Sequence, residues 1–253
     1  EGSNDSFFDL ADYLDNHDLS DPEIYSAVCG VIDIEELSNY AIAQDFLINE
    51  DWPHNNVKFW SPQAIGGKWR WFQYDFDGSL GAWGTSHTEN RIDTVFSGSH
   101  QITEILQHLR SSPLFNREFV NHYADLLNTT LTPSSTAGVL QALSDQISDE
   151  VPRHLERWNQ SSHNWVQDIQ EIEHFLTQRP PHVRQHLASH FGLSGSTYSL
   201  SLDISPPNTG RIELTAHEIS QAFTGTYFQG NPVTLKARTR PGFSFAGWSD
   251  GVS

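Results

Sequence analysis

Apolar positions between residues 22 and 192 recur every three or four residues, and helix start and stop chemistry punctuates the runs. Asp21-Pro22 reads as an N-cap followed by proline in the first turn. Asp33 with Glu36 has capping-box spacing, so helices are predicted over 22–31 and 34–49. Ser112-Pro113 opens another helix, with Phe115, Phe119, Tyr123 and Leu126 on one face. Further stripes are Val139, Leu143, Ile147, Val151; then Trp165, Ile169, Ile172, Leu176; then Val183, Leu187, Phe191, ending at Gly192. Every stripe is expected to face a core.

Beyond Leu193-Ser194-Gly195-Ser196 the period changes to two. Tyr198, Leu200, Leu202 and Ile204 alternate with polar residues before Pro206-Pro207-Asn208 turns the chain. Strands are predicted at 211–216, 232–238 and 243–248, separated by Gly230-Asn231 and Pro241-Gly242. The expected class is α+β, with a mostly helical domain over 1–195 and a small all-β domain over 196–253.

Composition narrows the functions open to such a chain. Its 253 residues are 37% hydrophobic and 18% charged, a balance that folds. Acidic residues outnumber basic ones 32 to 14, giving a net charge of -18 that repels a phosphate backbone, so nucleic acid is excluded as a partner. The same carboxylates become ligands once a divalent cation is present. A lone cysteine, Cys29 on an apolar helical stretch, forms no intrachain disulfide and is expected in the core. No run of 18 apolar residues occurs, and the opening EGSNDSFFDL has neither the basic start nor the apolar run of a signal segment.

The segment richest in chemistry runs from Asp51 to Asp77. Residues 57–61 and 68–74 are aromatic strand formers, and Gly66-Gly67 between them suits a hairpin turn. Turning there would place Asn56 opposite Asp77 and Lys58 opposite Asp75, folding Asp75 back beside the loop from Asp51 to Asn56. Convergent carboxylates plus an asparagine amide suit a hard cation that takes its remaining ligands from water and phosphate. An aspartate with an asparagine five positions on, followed by a second aspartate after a hairpin, is also the spacing of protein-kinase catalytic loops.

Those residues carry a resemblance. Asn39-Tyr40-Ala41-Ile42-Ala43-Gln44, the stretch Asp51-Trp52-Pro53-His54-Asn55-Asn56, Lys68-Trp69-Arg70-Trp71 and Tyr74-Asp75-Phe76-Asp77 resemble the spore-coat protein H (CotH) family. So do 119–128, 152–158 and Arg179-Pro180 with Val183-Arg184, so the likeness spans nearly all of 1–195. The resemblance implies the large lobe of an atypical, secretory-type protein kinase, with a β-hairpin at the active site. It implies ATP and Mg²⁺ or Mn²⁺ as cofactors and a protein substrate, such as a coat or surface protein. Carried over by position, Asp51 is the catalytic aspartate and Asn56 and Asp75 are metal ligands, with Asp77 a second or rival ligand where the usual motif has glycine. Lys58 and His54 are candidate contacts for the nucleotide or substrate. No glycine-rich loop with a strand lysine and helix glutamate is read before Asp51, so the small lobe of such a kinase is not recognised in this chain. The alternative is a noncatalytic kinase-like scaffold or adhesion module.

Other features have plainer readings. Trp52, Trp60, Trp69 and Trp71 are expected to pack in the hairpin and core rather than form a ligand platform. His182, His186 and His190 repeat every four residues and are expected on the surface, without support for zinc. Asn128-Thr129-Thr130 and Asn159-Gln160-Ser161 match glycosylation acceptors, a common coincidence. Residues 225–249 resemble a bacterial surface β-repeat of the internalin type, which implies a secreted or cell-surface bacterial protein.

Overall fold

The computed structural model describes residues 4–62, 66–160 and 163–249. Three helices come first: α1 (Asp5–Asn16), α2 (Pro22–Val31) and α3 (Ile34–Phe46). The short strands β1 (Phe59–Trp60) and β2 (Arg70–Trp71) then form an antiparallel pair. Six more helices follow: α4 (Ile92–Val95), α5 (Gln101–Arg110), α6 (Pro113–Asn128), α7 (Pro133–Ile147), α8 (Val151–Arg157) and α9 (Trp165–His190). Strands β3 (Thr197–Leu202), β4 (Gly210–Glu213), β5 (Glu218–Ile219), β6 (Phe223–Phe228) and β7 (Lys236–Thr239) complete a mixed helix-and-sheet fold.

Local chemistry explains the helix starts. Asp21 accepts from Glu23 N at 2.8 Å ahead of Pro22, and Ser112 accepts from Phe115 N at 3.4 Å ahead of Pro113. The pair Asp33 and Glu36 does more than cap α3. Asp33 accepts from Glu36 N at 3.4 Å and also from Arg70 Nε at 2.8 Å, while Glu36 accepts from Trp71 N at 3.0 Å. Asp33 N donates to Trp69 O at 3.1 Å. The first turn of α3 therefore docks the second strand of the hairpin.

The core gathers around α3 and α6. Tyr40, Ala41, Ile42 and Phe46 of α3 pack with Phe115, Phe119 and Tyr123 of α6 and with Val183 and Leu187 of α9, all buried. Trp52, Trp69 and Trp71 are buried too, whereas Trp60 is exposed. Cys29 is half-buried against this core, and desolvation raises its thiol pKa. The stripes from Trp165 to Phe191 lie on one helix, α9, which contains Pro180 and Pro181.

Three expectations need correction. Val139, Leu143 and Ile147 are 60%, 57% and 50% exposed, because α7 meets α9 through another face and buries no residue of its own. Residues 243–248 form no strand. His182, His186 and His190 are half-buried rather than on the open surface, and His190 Nδ1 reaches Asp93 at 2.6 Å.

The β3–β6 ribbon lies on α6 through polar anchors. Asp125 accepts from Tyr227 Oη at 2.6 Å and from Ala216 N at 2.8 Å. Asn128 Oδ1 accepts from Thr226 N at 3.0 Å and from Arg184 Nη2 at 2.9 Å, while its Nδ2 donates to Thr226 O at 3.1 Å. Both the oxygen and the nitrogen of the Asn128 amide are thus used in holding the ribbon to α6. A second small cluster of Leu202, Ile212, Leu214 and Ile219 fills the sheet ordered β5-β4-β7.

His122 couples this core to pH. It is buried in α6, its Nε2 lies 2.8 Å from Asn39 Oδ1, and burial lowers its pKa to about 4. The unfolded chain takes up this proton near pH 6.5, whereas the native chain resists until about 4. Native stability is thus full above pH 6.5 and is lost as pH falls through that window, by about 3 kcal/mol for this group. Buried Asp45 and Asp125 have raised pKa values and act in the opposite direction, so the comparison needs a variant. His122→Gln should flatten the pH 4–7 dependence of the urea midpoint; parallel curves for the two proteins would refute the assignment.

Candidate active site

Two loops meet where α3 ends. Glu50 N donates to Gly78 O at 3.1 Å, Leu80 N to Leu47 O at 2.8 Å, and Asn49 Nδ2 to Asp75 O at 3.4 Å. These bonds bring Asp75 to the Asp51 loop, not the hairpin register inferred from Gly66-Gly67. Phe59 pairs with Trp71 and Trp60 with Arg70, three residues from the expected alignment. Lys58 therefore faces Phe72, whose N donates to Lys58 O at 2.9 Å, and Asn56 is not opposite Asp77.

Asp51 sits in a tight polar turn. Its Oδ1 accepts from Asn55 Nδ2 at 2.7 Å and its Oδ2 from Asn56 Nδ2 at 2.8 Å. Two amide donors fix the carboxylate plane and leave each oxygen further lone pairs, while the Asn56 carbonyl oxygen stays available as a ligand atom. The backbone around this turn is strained. Ile48, Asn56, Asp75 and Leu80 take φ of 52°, 59°, 59° and 58°. Asn and Asp tolerate this left-handed region, whereas a β-branched Ile and a Leu there cost about 1–3 kcal/mol each. Such strain persists only where neighbours over-determine the backbone.

The electrostatics are those of crowded anions. Asp75 is exposed, and its pKa is raised first by the neighbouring Asp77 carboxylate, then by slight desolvation, a hydrogen bond with Asp77 and the charge of Asp51. Mutually repelling carboxylates beside an amide oxygen are a donor set that suits a hard divalent cation. As placed, the side chains do not close on one point: no group of three or more His, Cys, Asp and Glu among the described residues is arranged to hold a metal. Lys58 Nζ lies 4.7 Å from the Tyr74 ring centroid, and the exposed His54 meets His100 edge-on at 4.8 Å.

The family model described as CotH kinase protein matches residues 1–183. The chain belongs to the CotH kinase family. The matched segment of this family member holds every residue described above at the two loops and ends within α9, so β3 to β7 lie outside it. No curated protein and no solved structure matches the chain.

Two arginines for which sequence spacing assigned no role also hold the chain around the candidate site. Arg91 Nη2 donates to Asn49 O at 2.9 Å and to Trp52 O. Arg179 is fully buried and donates to Phe46 O at 3.2 Å, Asp45 O at 2.8 Å, His87 O at 2.9 Å and Glu89 O. Together they tie the end of α3, the Asp51 loop and residues 87–91 into one unit. A glycine marks the other loop: a Cβ at Gly78 would lie 2.9 Å from the Trp83 ring, which covers it.

Proposed function

We propose that the Asp51 and Asp75–Asp77 loops form a phosphotransfer site at which the γ-phosphoryl group of ATP passes to a hydroxyl of a protein substrate. The observation that carries this reading is the Asp51 carboxylate, fixed by Asn55 and Asn56, next to the paired acids Asp75 and Asp77. A divalent cation bound by Asn56 and Asp75, with Asp77 as a further ligand, would neutralise phosphate oxygens. Asp51 accepts the proton of the attacking hydroxyl, and the Asn55 and Asn56 amides hold its two oxygens in place. Lys58 and His54, both exposed beside the turn, are the nearby groups for contacting nucleotide or substrate. The helical region acts as the kinase-like large lobe. The strand-rich segment 196–249 that follows resembles bacterial surface repeats, and that likeness supports a secreted or cell-surface location.

Thermal unfolding with and without MnATP, beside Asp75→Asn, tests the site directly. At ~100 times its dissociation constant the ligand should add ~2.7 kcal/mol to the native state. Loss of that shift in the variant is the expected result. No shift in either protein would remove nucleotide binding from this chain and favour a noncatalytic scaffold.

A further inference from the structure

Arg91 holds the loop that carries Asp51 without being placed among its candidate ligands. The carbonyls of Asn49 and Trp52 bracket Glu50-Asp51, and both accept from the same terminal nitrogen of Arg91. Two carbonyl oxygens turned toward one point repel each other unless a donor sits between them. A guanidinium NH₂ supplies two hydrogens in a fixed plane for that purpose. The far end of this turn is anchored as well: Trp52 is fully buried and its Nε1 donates to Tyr40 Oη at 2.9 Å.

The arginine stands on a rigid base. It precedes α4, whose Thr94 N and Val95 N donate to Arg91 O at 3.0 and 3.1 Å, and Ile92 and Val95 of that turn are fully buried. Just upstream, Arg179 grips the carbonyls of His87 and Glu89. Burial lowers the Arg91 pKa, and the negative charges of Glu50, Asp45 and Glu89 around the guanidinium oppose that shift. Its Nε has no hydrogen-bond partner, so the polar contacts of the side chain are concentrated on the loop carbonyls.

We infer that Arg91 is the positioning residue of the phosphotransfer site: it fixes the Asn49–Trp52 turn and thereby the direction of the Asp51 carboxylate. This inference rests on the phosphotransfer reading above. The arginine acts through Asp51 and accepts no proton itself.

Arg91→Gln and Arg91→Lys decide the matter with two readouts. Amide hydrogen exchange reports the clamp independently of activity: amides in 49–57 should exchange about 10- to 100-fold faster in the glutamine variant, with those of α3 and α6 unchanged. Turnover with MnATP should fall about 10- to 100-fold at nearly constant KM for ATP, with lysine recovering part of the loss. Lysine keeps the charge and one carbonyl partner, so it gives the same readouts should the glutamine protein fail to fold. Unchanged exchange at 49–57 would overturn the inference, as would faster exchange spread evenly through α3 and α6, the mark of a merely structural role. A wild-type chain without transfer activity, together with a local exchange defect in the variant, would sink the phosphotransfer reading and with it the catalytic role of Arg91, leaving a loop clamp alone.

Discussion

Arg179→Met is expected to cost about 3–5 kcal/mol of stability, the scale for removing one partner from a buried ion pair. The guanidinium is fully buried and lies 3.6 Å from the Asp45 carboxylate, which is itself 1% exposed. Four backbone carbonyls, on Asp45, Phe46, His87 and Glu89, lose their donor in the variant. Asp45 would keep the Tyr123 hydroxyl at 2.6 Å as its hydrogen bond. Burial already raises the Asp45 pKa, and Arg179 is the largest influence holding it down, so the lone carboxyl would be driven toward protonation. Methionine fills much of the volume, which separates this electrostatic loss from a cavity. Urea denaturation should show a lower midpoint at unchanged slope. Adding Asp45→Asn should return part of the loss because the uncompensated charge is gone. A midpoint close to wild type in Arg179→Met would mean that the carbonyls find other donors.

What the sequence revealed depended on how far apart the interacting groups lie. Asp21-Pro22 and Ser112-Pro113 act on amides two or three residues away, so their helices could be read directly. The turn from Asp51 to Asn56 was legible for the same reason: its side chains meet within five residues. Arg91 and Arg179 bond to backbone carbonyls 39 to 134 residues distant, and a carbonyl carries no side-chain signature in sequence. The hairpin register was misread because aromatics occupy both faces, as the exposed Trp60 and Phe72 beside buried Trp69 and Trp71 show. Without a polar face, alternation cannot fix which residues pair. The stripe on α7 misled for another reason. Periodicity identifies a helix and one of its faces but not whether anything covers that face, and Val139, Leu143 and Ile147 are left open.

Asp51→Ala separates proton acceptance from metal binding. Turnover should fall by about 10²- to 10⁴-fold, the range for removing a general base, while the MnATP-dependent rise in unfolding temperature persists. The reasoning follows from what each carboxylate touches. Asp51 spends its oxygens on Asn55 and Asn56, neutral donors that orient it without consuming its ability to take a proton. Asp75 instead feels Asp77 and Asp51 as like charges, which makes it the group whose environment improves most when a cation arrives. Asp75→Asn should therefore lose both the thermal shift and turnover, whereas Asp51→Ala loses turnover and keeps most of the shift. Alanine also frees the Asn55 and Asn56 amides, so Asn56 can turn; a small weakening of the shift is expected from that release. Single-turnover transfer from MnATP, measured beside the unfolding curves, gives both quantities on the same protein. Wild-type turnover in Asp51→Ala would remove the base role from Asp51. Loss of the thermal shift in that variant would move Asp51 into the ligand set, and Glu50 and Asp77 would then be the carboxylates left in these two loops to test as the proton acceptor.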